Sequence, residues 1–255
     1  MRILVTNDDG VHAPGIALLA RVAADYGQVF VVAPSHEMSA VSHGLTLHRP
    51  LRTRAAGAEG WWMVDGTPAD CVYIGVHHLL SPRPDLVLSG INHGPNLGYD
   101  VFYSGTVAGA REACLQGIPA LAFSVYGDRH PLHPHVEGAI RLALDRTLAA
   151  RVDGRSFCVN VNVPNEAGQT PRGLRVTRLG RQIFSPQVER RTDPRGLEYF
   201  WIGSDRVAPP EEGDTDLAAV KAGYVSVTPL GTDTTDVDGL ARLAGLEAST
   251  PRSTP

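Results

Sequence analysis

The chain opens with a buried strand that runs straight into two adjacent carboxylates. Ile3-Leu4-Val5 is a short apolar, partly β-branched run, and Thr6-Asn7-Asp8-Asp9-Gly10 follows without a linker. Such a run, ended by turn residues, reads as a strand covered on both faces. In an open α/β sheet the crevice beyond the carboxyl ends of the strands is where ligands bind. Asp8 and Asp9 therefore stand where chemistry is expected. Neighbouring carboxylates repel, and a hard divalent cation with oxygen ligands is what lets both stay ionised in a crevice. Asp-Gly alone is ordinary turn chemistry, so later motifs decide the matter.

The rest of the first two thirds alternates in period. Pro14 and Gly15 open a helix with Ile16, Leu19 and Val22 or Ala23 at helical spacing, and Val29 to Ala33 is a second strand. Residues 35–50 form a polar connection holding His36, Ser39, Ser42, His43 and Thr46. Trp61 to Val64 reads as a short strand, and Thr67-Pro68-Ala69-Asp70 as a capped helix start. Asp85 to Ser89 is a strand, a helix begins near Ser104-Gly105-Thr106, and Ala120 to Val125 is a strand again. Val136, Ile140, Leu144 and Leu148 mark another helix, and Phe157 to Val163 another strand. Strand and helix in alternation predict an α/β fold, a Rossmann-like, doubly wound and mostly parallel sheet over residues 1–168.

From Gly173 the texture changes to short alternating runs, Leu174 to Leu179 and Glu198 to Ile202, which read as hairpins. Residues 169–239 are thus expected to form a hairpin-rich arm used in oligomerisation, with Tyr224 to Thr228 returning to the core as a last strand. Residues 240–255, ending in Ser, Thr and Pro, are expected to be a disordered tail.

Composition narrows the function. A net charge of −4 without any Lys/Arg cluster gives no footprint for a nucleic acid. No apolar run approaches membrane length, and Cys71, Cys114 and Cys158 lie far apart in apolar runs. The expectation is a cytoplasmic protein with buried thiols and neither a membrane nor a nucleic-acid partner.

Three strand ends supply oxygen donors: Asp8 and Asp9, then Ser39, then Asn92 after Leu86 to Ser89. Converging in one crevice and completed by water, they suit Mg²⁺, Mn²⁺ or Ca²⁺. Tyr103-Ser104-Gly105-Thr106 adds a helix N-terminus whose free N–H groups favour an anion. Metal and anion cradle together point to phosphoryl transfer.

These residues, with Gly66-Thr67-Pro68-Ala69-Asp70-Cys71-Val72, Ser89-Gly90-Ile91-Asn92 through Gly94, Asn96 and Gly98, Asp100-Val101 and Val225-Ser226-Val227-Thr228-Pro229-Leu230, resemble the SurE (survival protein E) family. The likeness runs from residue 1 to about residue 238 in the same order. It departs at Val107-Ala108-Gly109-Ala110, where a glycine is shifted within the first helical turns. The resemblance implies a metal-dependent 5′-nucleotidase acting on nucleoside 5′-monophosphates, with Mg²⁺ or Mn²⁺ held by Asp8, Asp9, Ser39 and Asn92. It implies phosphate contacts from Asn96, Ser104, Gly105 and Thr106, and a homodimer or homotetramer joined through the C-terminal segment. Asp8 and Asp9 are then also the catalytic carboxylates.

Alternatives fare worse. A dinucleotide-binding oxidoreductase needs G-x-G-x-x-G where this chain has Asp8-Asp9-Gly10-Val11-His12-Ala13. A haloacid-dehalogenase-type phosphatase separates its two Asp by one residue. A non-catalytic nucleotide-binding protein is the rival that an assay must exclude. His12, His36, His43 and His93 are expected near the crevice, whereas His130 to His135 reads as a solvated, Pro-broken loop.

Overall fold

The structure, a computed structural model, describes residues 1–128, 130–150, 157–203, 205–207 and 213–244. Its first strands are β1 (Arg2–Thr6), β2 (Gln28–Pro34), β3 (Thr53–Ala55), β4 (Trp61–Val64) and β5 (Leu86–Asn92). Next come β6 (Ala120–Gly127), β7 (Cys158–Asn165) and β8 (Leu174–Val176). The short strands β9 (Ile183–Phe184), β10 (Val188–Thr192), β11 (Glu198–Ile202) and β12 (Arg206–Val207) precede β13 (Val225–Leu230). The helices are α1 (Pro14–Ala23), α2 (Pro68–Ile74), α3 (Gly105–Leu115), α4 (His135–Ala149), α5 (Asp216–Lys221) and α6 (Val237–Leu243).

Nine strands form one sheet in the order β3-β4-β2-β1-β5-β6-β7-β13-β8. From β4 to β7 every pairing is parallel, while β3 and β13 run antiparallel to their neighbours β4 and β7. Side chains of β1 alternate between two cores, as a strand buried on both faces must. Ile3 and Val5 pack with Ile16, Leu19, Ile140 and Leu144 of α1 and α4. Leu4 faces the other way, toward Cys71 and Val72 of α2 and Val107, Ala110 and Ala113 of α3. Strand order reverses beside β1: β2 lies on one flank and β5 on the other. The crevice at that switch point is where Asp8 and Asp9 emerge.

Two expectations change here. Residues 174–176 are not a hairpin; they form an edge strand of the main sheet, parallel to β13. Once β13 has paired with β7 its other edge is open, and β8 satisfies those backbone groups. The Thr177 and Thr228 hydroxyls, 2.8 Å apart, share a hydrogen bond beside this pairing. The expected tail also starts too early, because α6 occupies residues 237–243, and residues 245–255 lie outside the described ones.

The hairpin reading of Glu198 to Ile202 holds. β10 and β11 pair antiparallel, and β9 pairs with β12, so the described residues of 183–207 make one interrupted arm. Val188, Phe200, Trp201 and Ile202 are each more than half exposed on it, at 62, 60, 59 and 77%. The three cysteines are free and buried. Among the described residues no helix is long and apolar enough to cross a membrane.

Candidate active site

The site grows from the turn that ends β1. Asn7 closes it by donating from its amide nitrogen to the Gly10 carbonyl at 2.8 Å. Asp8 is buried, and its carboxylate meets the first turn of α3. The Thr106 N–H donates to Asp8 Oδ2 at 3.0 Å, and the Thr106 hydroxyl donates to Oδ1. A carboxylate at a helix N-terminus is favourably placed. Burial nevertheless dominates: it pushes the Asp8 pKa from 3.8 up to about 6, with Thr106 pulling it down and the Asp9 charge pushing it further up.

Asp9 lies beside it. Its Oδ2 stands 3.3 Å from His93 Nδ1, at ion-pair distance, yet it is buried and makes no hydrogen bond. A buried carboxylate oxygen without a donor costs free energy unless something positive meets it.

Two close approaches of backbone bring the other donors in. A Cβ on Gly15 would lie 2.2 Å from the Ile91 carbonyl oxygen, so only glycine lets α1 press against the end of β5, next to Asn92. A Cβ on Gly105 would lie 2.9 Å from the Asp8 Cβ and 3.0 Å from its Oδ2. The polar connection after β2 is tied in by the Met38 N–H, which donates to the Asp8 carbonyl at 2.7 Å, and by Ser42, whose N–H donates to the Tyr103 carbonyl at 2.9 Å. Ala40 and Ser42 both adopt φ of +56°, next to Ser39. Non-glycine residues there store strain, and such strain gathers at functional sites.

All four candidate metal ligands, Asp8, Asp9, Ser39 and Asn92, line one cavity of about 560 Å³. The Asn92 amide nitrogen donates to the Gly94 carbonyl at 2.7 Å, which turns its oxygen into the group left to coordinate. Ser39 is exposed and donates to Glu37 Oε1 at 2.5 Å, so Glu37, another cavity residue, competes for that hydroxyl. Among the described residues no group of three or more His, Cys, Asp or Glu is arranged to hold a metal ion. The set here instead mixes two carboxylates with a hydroxyl and an amide, the hard oxygen donors that suit Mg²⁺ or Mn²⁺.

The anion-binding half divides. Asn96 and Ser104 also line the cavity. Ser104 caps α3 by accepting from the Val107 N–H at 3.0 Å, which leaves its own O–H to donate. Thr106 differs from the expectation: it is fully buried, lies outside the cavity lining, and both its amide and its hydroxyl serve Asp8. Gly105 likewise backs onto Asp8. Their direct role in this structure is to hold the carboxylate.

Sequence reasoning gave no role to other residues of the cavity. Asp100, in the 3₁₀ turn Gly98–Phe102, accepts from Gln182 Nε2 at 2.9 Å and from Arg206 Nε at 3.0 Å. Asp100 and Arg206 line the cavity, and Gln182 and Arg206 come from the base of the arm. No local pattern announced this ion pair across 106 positions. Of the histidines, His93 and His130 line the cavity with ring centroids 4.2 Å apart, whereas His12, His36 and His43 do not. The His130 to His135 segment is accordingly anchored rather than freely solvated: His133 Nε2 lies 3.1 Å from Asp128 Oδ2, and His135 Nε2 3.0 Å from the Pro164 carbonyl.

Known proteins are similar to this chain over most of its length. The family model described as Survival protein SurE matches residues 3–186. The 5′-nucleotidase SurE of Gemmatimonas aurantiaca is 49% identical over 243 residues, covering 94% of this chain and 96% of that protein. The 5′-nucleotidase SurE 1 of Thermus thermophilus is 47% identical, covering 96% of this chain and 98% of its own. The crystal structure of the SurE protein from Aquifex aeolicus superposes with a TM-score of 0.83 at 38% identity, covering 97% of this chain and 100% of that one. A nine-stranded sheet with its carboxylate pair at the switch point, matched along nearly the whole chain, places this protein in the SurE family.

Proposed function

We propose that the protein is a metal-dependent 5′-nucleotidase that hydrolyses nucleoside 5′-monophosphates to nucleoside and phosphate. The observation that carries this reading is the buried, hydrogen-bond-less Oδ2 of Asp9 beside a desolvated Asp8. Two carboxylates in that state call for a cation, and the named 5′-nucleotidases among its relatives supply the reaction class.

Asp8, Asp9, Ser39 and Asn92 hold the ion, Mg²⁺ or Mn²⁺. When bound, it neutralises phosphoryl charge and acidifies a water. Thr106 and Gly105 fix Asp8, so the carboxylate does not swing. Asn96, through the N–H left after its bond to Ser124, and Ser104, through its O–H, donate to the equatorial phosphoryl oxygens. Asp9, through the carboxylate oxygen that the ion does not take, accepts a proton from the attacking water, and His93 and His130 are the imidazoles on hand to protonate the leaving oxygen. Direct water attack is preferred to a phospho-aspartate, because a carboxylate committed to a cation is a poor nucleophile.

The exposed apolar arm supports assembly as a homodimer or homotetramer, since a hairpin this short buries too little to stand alone. Free buried thiols suit a reducing compartment, and we assign the protein to the cytoplasm. The test is phosphate release from a nucleoside 5′-monophosphate. Chelator should abolish it and Mg²⁺ or Mn²⁺ restore it, while full turnover in excess chelator refutes the metal role.

A further inference from the structure

A polar row crosses the sheet underneath the loop that carries Asn96. Asn92 of β5 is in register with Ser124 of β6, Ser124 with Asn162 of β7, and Asn162 with Ser226 of β13. Ser124, Asn160, Asn162 and Ser226 are all fully buried in strands otherwise rich in Val and Ala. Apolar residues would cost less there. Most of the hydrogen bonds of this cluster converge on a single residue. The Asn96 N–H donates to Asn162 Oδ1 at 2.9 Å. The Asn96 carbonyl accepts from Asn160 Nδ2 at 2.7 Å and from Asn162 Nδ2 at 3.1 Å. The Asn96 side-chain amide nitrogen donates to Ser124 Oγ at 2.7 Å.

Asn162 thus acts as a two-point clamp on the Asn96 backbone, and Ser124 sets the rotation of its amide. Backbone satisfaction alone explains part of this, because a buried N–H and C=O need partners. It leaves two facts over. The bond that Ser124 accepts comes from the Asn96 side chain and satisfies no backbone group. Asn160 Oδ1 and Ser226 Oγ remain buried without partners, so the cluster is not optimised for stability.

We propose that Ser124 and Asn162, supported by Asn160, are positioning residues that hold Asn96 in the geometry that meets the transferred phosphoryl group. This rests on the reading of Asn96 as a phosphate contact. Positioning a donor by locked neighbours is how a site avoids reorganising during reaction.

The experiment is a double-mutant cycle of Ser124→Ala and Asn96→Ala in the full chain with Mn²⁺. It reads kcat, KM, inhibition by inorganic phosphate, Mn²⁺ affinity and melting temperature. Ser124→Ala should lower kcat by about 5- to 10-fold, the worth of one hydrogen bond, and weaken phosphate inhibition similarly. Mn²⁺ affinity should stay within twofold. In the Asn96→Ala background the same substitution should have no further effect, since it acts only through Asn96. Asn162→Ala should behave likewise with a larger loss; should it fail to fold, the Ser124 cycle decides alone. If Asn96→Ala is impaired and the two losses simply multiply, the positioning proposal is wrong while the phosphate contact stands. An unimpaired Ser124→Ala has the same meaning. If Asn96→Ala turns over at the full rate, the reading of Asn96 fails and the proposal with it.

Discussion

Thr106→Val is the most informative single change near the metal ligands. Valine keeps the shape of threonine and keeps the backbone N–H that donates to Asp8 Oδ2, but it removes the hydroxyl that donates to Oδ1. A hydrogen bond to a charged group contributes roughly 1.5–3 kcal/mol. Asp8 is buried, with desolvation already working against its ionised form, so little of that loss is recovered from solvent. A cation must bind the ionised form, which keeps this bond with or without metal, so the loss reaches metal affinity through the raised Asp8 pKa and should be roughly 2- to 15-fold at pH 7. The assay is a Mn²⁺ titration of the metal-free protein by calorimetry or electron paramagnetic resonance, at pH 7 and again at pH 8. The deficit should shrink at the higher pH, where deprotonation of Asp8 is less of an obstacle. Thr106→Ser restores the hydroxyl and should recover most of the affinity. A folded Thr106→Val protein that binds Mn²⁺ as tightly as the parent at pH 7 refutes the claim that Thr106 prepares Asp8 for the metal.

Other predictions follow from the same geometry. The folded, metal-free protein binds more protons at Asp8 than the unfolded chain between about pH 4 and pH 6, so its stability should fall as pH rises through that window, by roughly 2–3 kcal/mol in all. Asp8→Asn removes this penalty; urea melts in chelator should show the variant gaining on the parent as pH rises from about 4 to 6, and parallel pH curves across that window would contradict it. Gly105→Val places a branched side chain where even a lone Cβ would lie 2.9 Å from the Asp8 Cβ, and should cost both Mn²⁺ affinity and turnover, measured by titration and phosphate release. Phe200→Glu with Trp201→Glu on the exposed arm should yield a monomer by size exclusion with light scattering, whereas a parent chain that is itself monomeric at micromolar concentration would remove the assembly role.

Much of this was legible in residue order because it depends on local chemistry. The strand Ile3-Leu4-Val5, the capping box of Thr67 and Asp70, and the Ser104 cap of α3 each follow from short patterns, and each is in place. Asp8, Asp9, Ser39 and Asn92 share a cavity because β1, β2 and β5 are adjacent and parallel, which alternating elements already imply. What stayed hidden depends on distant partners. β8 looked like half of a hairpin, since nothing in its three residues reveals that it will close the edge of β13. Thr106 resembled a phosphate ligand because a helix N-terminus does not disclose which anion it faces, and here the anion is Asp8. Asp100 and Arg206 meet only when the arm folds back. Asn160 and Asn162 did carry a signal, two amides alternating with Val159, Val161 and Val163 on a strand where burial must be explained.

The central claim is a divalent cation held by four named side chains. Crystals of the full chain soaked with Mn²⁺ and inorganic phosphate, with data collected at the manganese absorption edge, test it most directly. The account predicts one strong anomalous peak within coordination distance of Asp8, Asp9, Ser39 and Asn92, with the Ser39 hydroxyl turned away from Glu37 and phosphate oxygens facing Asn96 and Ser104. A fully occupied peak elsewhere, or phosphate seated away from the Asp8–Asp9 pair in catalytically active crystals, would contradict it.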